Sequence, residues 1–383
     1  MTSATNALPF LPFTRPDIDE ATIARVGEVL RSGWLTTGPL CRELEEALSQ
    51  RAAGRPVRLV NSATAALEFA LRVAGIGAGD EVITTSLSWV ATANVILSVG
   101  ATPVFVDIAP ATRLVDLTRV EAAITPRTRA LIPVDLAGFP VDRDALYALA
   151  KRHALRVVED AAQSQGANWQ GRELGSFGDL VAFSFHPNKN MTTGEGGCLV
   201  LNNEQEARLF EKLRLQGVTR DIDGTYECDV LGGKANLTDI AAAIGLGQLK
   251  KLDEYNGRRR TLAAQYFVHI DACALKDRLS LPPAEFAQSN WHMFQVLLPE
   301  ALAPQRGRLI AQMKELGIGV GVHYPAIHTT TLYRQLGWRA GQLPHTENVA
   351  ARLLTLPLFP RMDEGDIQRV CQALQSTLQN MAS

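Results

Sequence analysis

The feature that most constrains this chain is the exchange of short apolar runs with helix-periodic segments over about the first half of its length. The runs Arg58 to Val60, Glu81 to Thr84, Pro103 to Val106, Ala130 to Val134, Arg156 to Val158, Leu180 to Ser184 and Cys198 to Leu201 have strand length, and helical stretches fill most of the gaps between them. Strands and helices alternating in this way specify an α/β fold, with a mostly parallel central sheet covered by helices on both faces. Ligands of such folds sit in the loops outside the strand ends. Residues that carry chemistry are therefore expected in those loops.

Around this repeat the texture differs. Ile18, Ile23, Val26, Val29 and Leu30 give a helical period over Asp17 to Ser32 that stops at Gly33, and Leu44 and Leu48 carry a second helix beyond Gly38-Pro39. After Leu201 come longer helical segments, Glu204 to Leu215 and Leu237 to Tyr255. The remainder reads as a small α/β module: a strand at Phe294 to Leu298, a helix at Arg308 to Leu316, a strand at Gly319 to His323 and a helix after Asp363. The 383 residues suit two domains, divided here as a large domain over residues 1–255 and a smaller one over 256–383.

Composition narrows the function classes. Lys plus Arg at 38 nearly balances Asp plus Glu at 40, so no net field draws the chain to nucleic acid or to an anionic membrane. The five cysteines are widely spaced without a C-x-x-C pattern, which argues against a disulfide framework or a zinc site. Met1 to Phe13 lacks a basic, apolar leader, and no apolar run approaches the roughly 20 residues of a membrane helix. The expectation is a cytoplasmic protein without a metal.

Four strand-end loops carry the residues of interest. In Phe183-Ser-Phe-His-Pro-Asn-Lys189-Asn-Met-Thr-Thr-Gly194-Glu-Gly-Gly197 a lysine sits in a sheet-edge loop, after Ser184 and before glycines that permit close backbone approach. A lone loop lysine is ordinarily solvated, but lysine also forms Schiff bases with carbonyl cofactors. Glu159-Asp160-Ala-Ala-Gln163-Ser164 ends another strand. A pyridoxal-phosphate (PLP) site needs a carboxylate at the pyridine nitrogen, and Asp160 suits that role, although it also suits a helix N-cap. Alternation does not decide which of Glu159 and Asp160 faces the site. Val60-Asn-Ser62-Ala63-Thr64 joins a strand to a helix start, where free amides hold phosphate, or where Ser62 or Thr64 is only a cap. Ser86-Leu-Ser-Trp89-Val-Ala-Thr-Ala-Asn94 places an indole to cover a cofactor ring, or else in the core.

Together these elements resemble the DegT/DnrJ/EryC1/StrS family of sugar aminotransferases. The likeness begins at Ser32-Gly-Trp34-Leu-Thr36-Thr-Gly38-Pro39 and runs through Gly79-Asp-Glu-Val-Ile and Gly100-Ala-Thr-Pro-Val-Phe-Val-Asp107 to Gly317-Ile-Gly-Val-Gly-Val-His323-Tyr-Pro-Ala-Ile-His328. It implies the fold type I architecture of PLP enzymes, PLP bound to Lys189, and pyridoxamine phosphate (PMP) as the form that carries nitrogen between an amino donor, glutamate, and a keto sugar nucleotide. It further implies Asp160 at the ring nitrogen, Gln163 at the ring hydroxyl, Trp89 stacked on the ring, and Ala63, Thr64 and Ser184 at the phosphate. Trp34, Thr36, His323 and His328 become candidate substrate contacts. Relatives with histidine in place of this lysine are dehydratases, so Lys189 favours amine transfer. The resemblance also implies a homodimer in which Lys234, in Gly232-Gly-Lys234-Ala-Asn236-Leu-Thr, reaches the neighbouring chain's phosphate. Many relatives carry an aromatic where Ala235 stands, which leaves small ketones or amines thinkable as substrates. Ser-Ala-Thr-Ala, Ser-Leu-Ser-Trp and Asn-Leu-Thr-Asp-Ile are similar to the branch that makes UDP-4-amino-4-deoxy-L-arabinose. A PLP-binding regulatory protein without turnover is the non-enzyme alternative.

Overall fold

The computed structural model describes residues 9–382; most of the Met1 to Phe13 stretch lies outside the described residues. Seven strands form the main sheet: β1 (Val57–Val60), β2 (Glu81–Thr85), β3 (Thr102–Val106), β4 (Thr128–Ile132), β5 (Arg156–Asp160), β6 (Leu180–Ser184) and β7 (Gly197–Val200). Their order is β1-β7-β6-β5-β4-β2-β3, and β7 alone runs against its two neighbours. Strands buried on both faces are expected of such a sheet; β2 and β6 are buried at every position.

Helices cover both faces. On one, α1 (Ala63–Val73), α2 (Ala91–Ser98) and α3 (Glu204–Arg214) enclose a core with Val60, Val82, Ile132, Val158 and Ala182. On the other, the helix Pro39–Arg51 and the first half of α4 (Asp239–Ala272) pack on Leu59, Val181 and Phe183. Asp239, in the first turn of α4, accepts the backbone N–H groups of Gly38, Leu40 and Cys41 at 2.8, 3.1 and 3.0 Å. A carboxylate there satisfies the orphan donors of the Pro39–Arg51 helix.

The strand expected at Ala130 to Val134 is displaced toward its N-terminus, because Pro133 has no N–H to donate to a ladder. Helix α4 is longer than its alanine- and leucine-rich start suggested, and runs through Tyr255 and Asn256 without a break. Its second half contributes Leu262, Tyr266 and Ile270 to a core that joins Ile83 and Leu131 of the main sheet to the C-terminal module. In that module Phe294–Leu297 pairs antiparallel with Leu353–Leu356, flanked by helices Arg306–Glu315 and Glu364–Ala382. The strand expected at Gly319 to His323 does not form; only Gly321 bridges, to Thr355. With glycine at 317, 319 and 321 the segment has few side chains to pack on a pleated face.

Candidate active site

The C-terminal ends of β1, β2, β5 and β6 and the start of the reversed β7 lie on one edge of the sheet. There they frame a cavity of about 390 Å³. Of the residues singled out in the sequence, Ala63, Thr64, Trp89, Asp160, Gln163, Ser184, Lys189 and His323 line it together. These positions come from five separate stretches of chain, and the sheet is what brings them together.

Lys189 lies in the β6–β7 loop, which its own hydroxyl and amide side chains shape. Thr192 Oγ1 donates to the carbonyl of Phe185 at 2.8 Å, and Asn190 Nδ2 donates to Asn256 Oδ1 at 2.7 Å and to the carbonyl of Asn290 at 3.1 Å. Since both Asn190 donors are engaged, His292 Nδ1 donates to Asn190 Oδ1, 3.0 Å away. Burial pushes the Lys189 amine down to about 8, with the Asp160 charge opposing. Lys189 is half-buried and lines the cavity, unlike an ordinary exposed loop lysine.

Strand β5 divides its two acids between the faces of the sheet. Glu159 is pulled to the far side by Arg143, at 2.8 Å, and by the hydroxyl of Tyr147, at 2.5 Å. Asp160 faces the cavity, where its Oδ2 accepts from Thr92 Oγ1 at 2.6 Å and its Oδ1 from the Ala162 N–H at 3.2 Å. No helix begins at Asp160, so it is not an N-cap. Burial raises its pKa, opposed first by the Thr92 hydrogen bond, then by the Ala162 amide and the Lys189 charge. Gln163 Oε1 is occupied by the Ala137 N–H at 2.8 Å, which turns its amide nitrogen into the available, donating end.

At the opening of α1, Ser62 is the N-cap, its Oγ accepting from Ala65 N at 3.2 Å. The amides of Ala63 and Thr64, in the first turn, have no intrahelical acceptor. Gly197 lets β7 approach this turn, since a Cβ there would stand 2.6 Å from the Phe183 carbonyl oxygen and 2.7 Å from Ala63 N. Backbone amides, the Thr64 and Ser184 hydroxyls and a glycine-permitted close approach form a cradle suited to a phosphate. Trp89 is 58% exposed, which excludes a core role, and its ring stands 5.8 Å from that of Tyr324.

His323 reaches the cavity, stacks on Phe13 at 4.7 Å and shares a 3.0 Å hydrogen bond through Nδ1 with Thr355. Burial lowers its pKa to about 4, so the ring is neutral. The expectation for His328 is corrected: it is fully buried outside the cavity, with Nδ1 2.7 Å from Ser86 Oγ and Nε2 3.0 Å from Glu347. Trp34 and Thr36 are exposed and lie outside this cavity, as does Lys234, whose amine pairs with Asn236. Ala235 is buried, its carbonyl accepting from Asn61 N at 2.7 Å, and forms no wall of the cavity. Ser88, Thr92, His186 and Tyr324 also line the cavity, and sequence reasoning gave them no role. A signal for the first two was present, in hydroxyls four residues apart across a helix start.

A lysine amine, a buried carboxylate, an amide donor, an exposed indole and an anion cradle around one cavity fit PLP. The fold and site define a PLP-dependent transaminase. Residues 16–375 match the model of the DegT/DnrJ/EryC1/StrS aminotransferase family, and the chain belongs to that family. Spr1654 from Streptococcus pneumoniae in its PLP form is 32% identical with a TM-score of 0.91, over 98% of this chain and 100% of that one. The same protein is also known in its PMP form. DesV from S. venezuelae, in complex with a ketimine intermediate, is 36% identical with a TM-score of 0.88, over 96% of this chain and 98% of its own. DesI, in the presence of its TDP-sugar product, is 33% identical with a TM-score of 0.86, over 96% and 92%. The cofactor is PLP, with PMP as its nitrogen-bearing form. Among the described residues no helix is long and apolar enough to cross a membrane, and no group of His, Cys, Asp and Glu could hold a metal ion.

Proposed function

We propose that the enzyme moves an amino group from L-glutamate to the 4-keto carbon of a sugar nucleotide, in two half-reactions with ping-pong kinetics. The observation that carries this reading is the presence of Lys189 and Asp160 in one cavity beside a phosphate cradle. PLP bound there supplies an electron sink and a carrier for the nitrogen. Ala63, Thr64 and Ser184 bind the phosphate, Trp89 covers one face of the ring, and Gln163 donates to the ring oxygen. Asp160 keeps a proton on the ring nitrogen. The Lys189 amine, with its pKa brought to about 8, is partly in its free-base form near neutrality. That amine would serve as the general base that takes a proton from the substrate carbon and, once protonated, as the general acid that gives one up.

The structure of DesI in the presence of its TDP-sugar product supports a sugar nucleotide as the acceptor. His323, neutral and facing the cavity, is placed to contact the sugar. Among the described residues, a single chain lines this cavity with no arginine, and Lys189 is its one lysine. A cofactor phosphate and the carboxylates of glutamate call for more positive charge. Lys234, outside its own cavity, supplies it to a second copy in a homodimer, and Trp34 and Thr36 complete the substrate walls there.

The test is the absorbance spectrum of the PLP-loaded protein before and after L-glutamate, then after a 4-keto sugar nucleotide or a simple ketone. We expect glutamate to remove a Lys189-dependent band and the keto sugar nucleotide to restore it, with no such band in Lys189→Ala. A band that persists with glutamate refutes transamination, and restoration by simple ketones alone refutes the sugar acceptor.

A further inference from the structure

We propose that Ser88 and Thr92 form a directional hydroxyl relay that holds Asp160 as a carboxylate aimed into the cavity, which makes Thr92 a positioning residue for the cofactor's ring nitrogen. The proposal rests on the reading above that Asp160 meets that nitrogen.

The geometry fixes the direction of the relay. Ser88 lies in the loop after β2 and Thr92 in the first turn of α2; their exposures are 2% and 0%. The oxygens stand in series, Ser88 Oγ 2.7 Å from Thr92 Oγ1 and Thr92 Oγ1 2.6 Å from Asp160 Oδ2. A carboxylate only accepts, so the Thr92 proton points to Asp160. With its one proton committed, Thr92 must accept from Ser88. The second carboxylate oxygen takes the Ala162 N–H at 3.2 Å, and the Asp160 backbone N–H is tied to the Pro133 carbonyl at 2.9 Å. Asp160 is thus held from three sides, and its remaining lone pairs are directed at the cavity.

The alternative arrangement shows what the relay accomplishes. If Asp160 were protonated, its proton could point to Thr92 and both hydroxyls could reverse. The carboxyl would then no longer offer a full negative charge to a protonated ring nitrogen. Burial alone drives the group that way, and the Thr92 hydrogen bond is the largest influence that resists it. Short hydrogen bonds to a charged oxygen are the strong ones, and Thr92 makes the shorter of the two side-chain-oxygen contacts that protein donors make to Asp160. Thr92 is also placed by a helix that begins beside Trp89, so the element that presents the ring-covering indole fixes the ring-nitrogen carboxylate as well.

The experiment measures PMP dissociation constants by equilibrium dialysis, and the absorbance maximum of bound PMP, for wild type, Thr92→Val, Thr92→Ser, Asp160→Ala and the Thr92→Val/Asp160→Ala double variant. Valine keeps the shape and removes the donor. We expect Thr92→Val to weaken PMP binding roughly ten- to hundredfold, the effect of one hydrogen bond to a charged group, and to shift the bound absorbance. Thr92→Ser should restore both. In the Asp160→Ala background the valine should add nothing, because its effect passes through the carboxylate. Wild-type binding by Thr92→Val, a serine variant as impaired as the valine, or an undiminished valine effect without Asp160 would each overturn the relay. Wild-type behaviour of Asp160→Ala would instead overturn the role of Asp160 itself, and the relay with it. If Thr92→Val does not fold, Ser88→Ala carries the test: a smaller loss in the same direction supports the relay, and unchanged binding overturns it.

Discussion

Replacing Lys189 with methionine is expected to make the apo-protein more stable and, on the proposed mechanism, to abolish catalysis. Methionine keeps most of the length of the stem and removes the charge. Burial takes the lysine pKa from 10.5 to about 8, against the pull of Asp160. Between those two values the unfolded chain binds the proton that the folded chain has released, so stability rises with pH across that window. Below about pH 8 both states are protonated and the full penalty of the buried ammonium applies. A shift of this size is worth about 3 kcal/mol; Lys189 is only half-buried, and solvent screening brings the expected figure to about 2 kcal/mol. Removing the ammonium also leaves Asp160 without a favourable neighbour, and this offsets part of the gain. Urea unfolding of both apo-proteins at pH 7 and pH 10 measures the effect. The variant should lead at pH 7, and its lead should shrink to less than half at pH 10. A variant no more stable than wild type at neutral pH, or a lead independent of pH, refutes the account of Lys189 as a buried charge.

Three further outcomes follow from particular contacts. Gly197→Ala should lose about 1–3 kcal/mol of stability and bind PLP more weakly, because the new methyl meets the Phe183 carbonyl and the Ala63 amide; thermal unfolding with and without PLP should show a smaller cofactor-induced rise in Tm than in wild type. Arg143→Leu should cost about 3–5 kcal/mol in urea unfolding, since Asp135 and Glu159, 2.6 and 2.8 Å from the guanidinium, would remain buried with no cation; a loss below about 1 kcal/mol would show that these acids take up protons at little cost. His328→Ala should lower stability by about 1–3 kcal/mol, because Ser86 and Glu347 lose their shared partner, while KM for the keto acceptor stays at its wild-type value. A raised KM at unchanged stability would return His328 to the substrate site.

The parts of the site that were legible in the sequence share a physical basis. Each lies where an apolar strand gives way to small, polar or glycine-rich residues, and an α/β sheet gathers such boundaries on one edge. Lys189, Asp160, Ser184, Thr64 and Trp89 are all of this kind. The parts that were not legible depend on partners far away in the chain. His328 looks like a pocket residue until Ser86, 242 positions earlier, occupies its ring nitrogen. Likewise, nothing around Leu237 to Tyr255 reveals that α4 continues to Ala272, because its second half is stabilised by contacts with the C-terminal module.

The choice between Glu159 and Asp160 shows why local pattern has this limit. Alternation places the two acids on opposite faces of β5, but Val157 and Val158 before them are both buried, so the strand carries no polar side to orient the alternation. The decision comes from what each face offers. On one side Arg143 and Tyr147, from the helix Arg143–Arg152, provide a cation and a hydroxyl, and that pair accommodates the longer acid. On the other, Thr92 and the Ala162 amide provide neutral donors that reach the shorter one. A carboxylate satisfied by an arginine is already neutralised and has little attraction left for a cationic ring nitrogen. One held only by neutral donors keeps its charge available, and in this cavity that is Asp160.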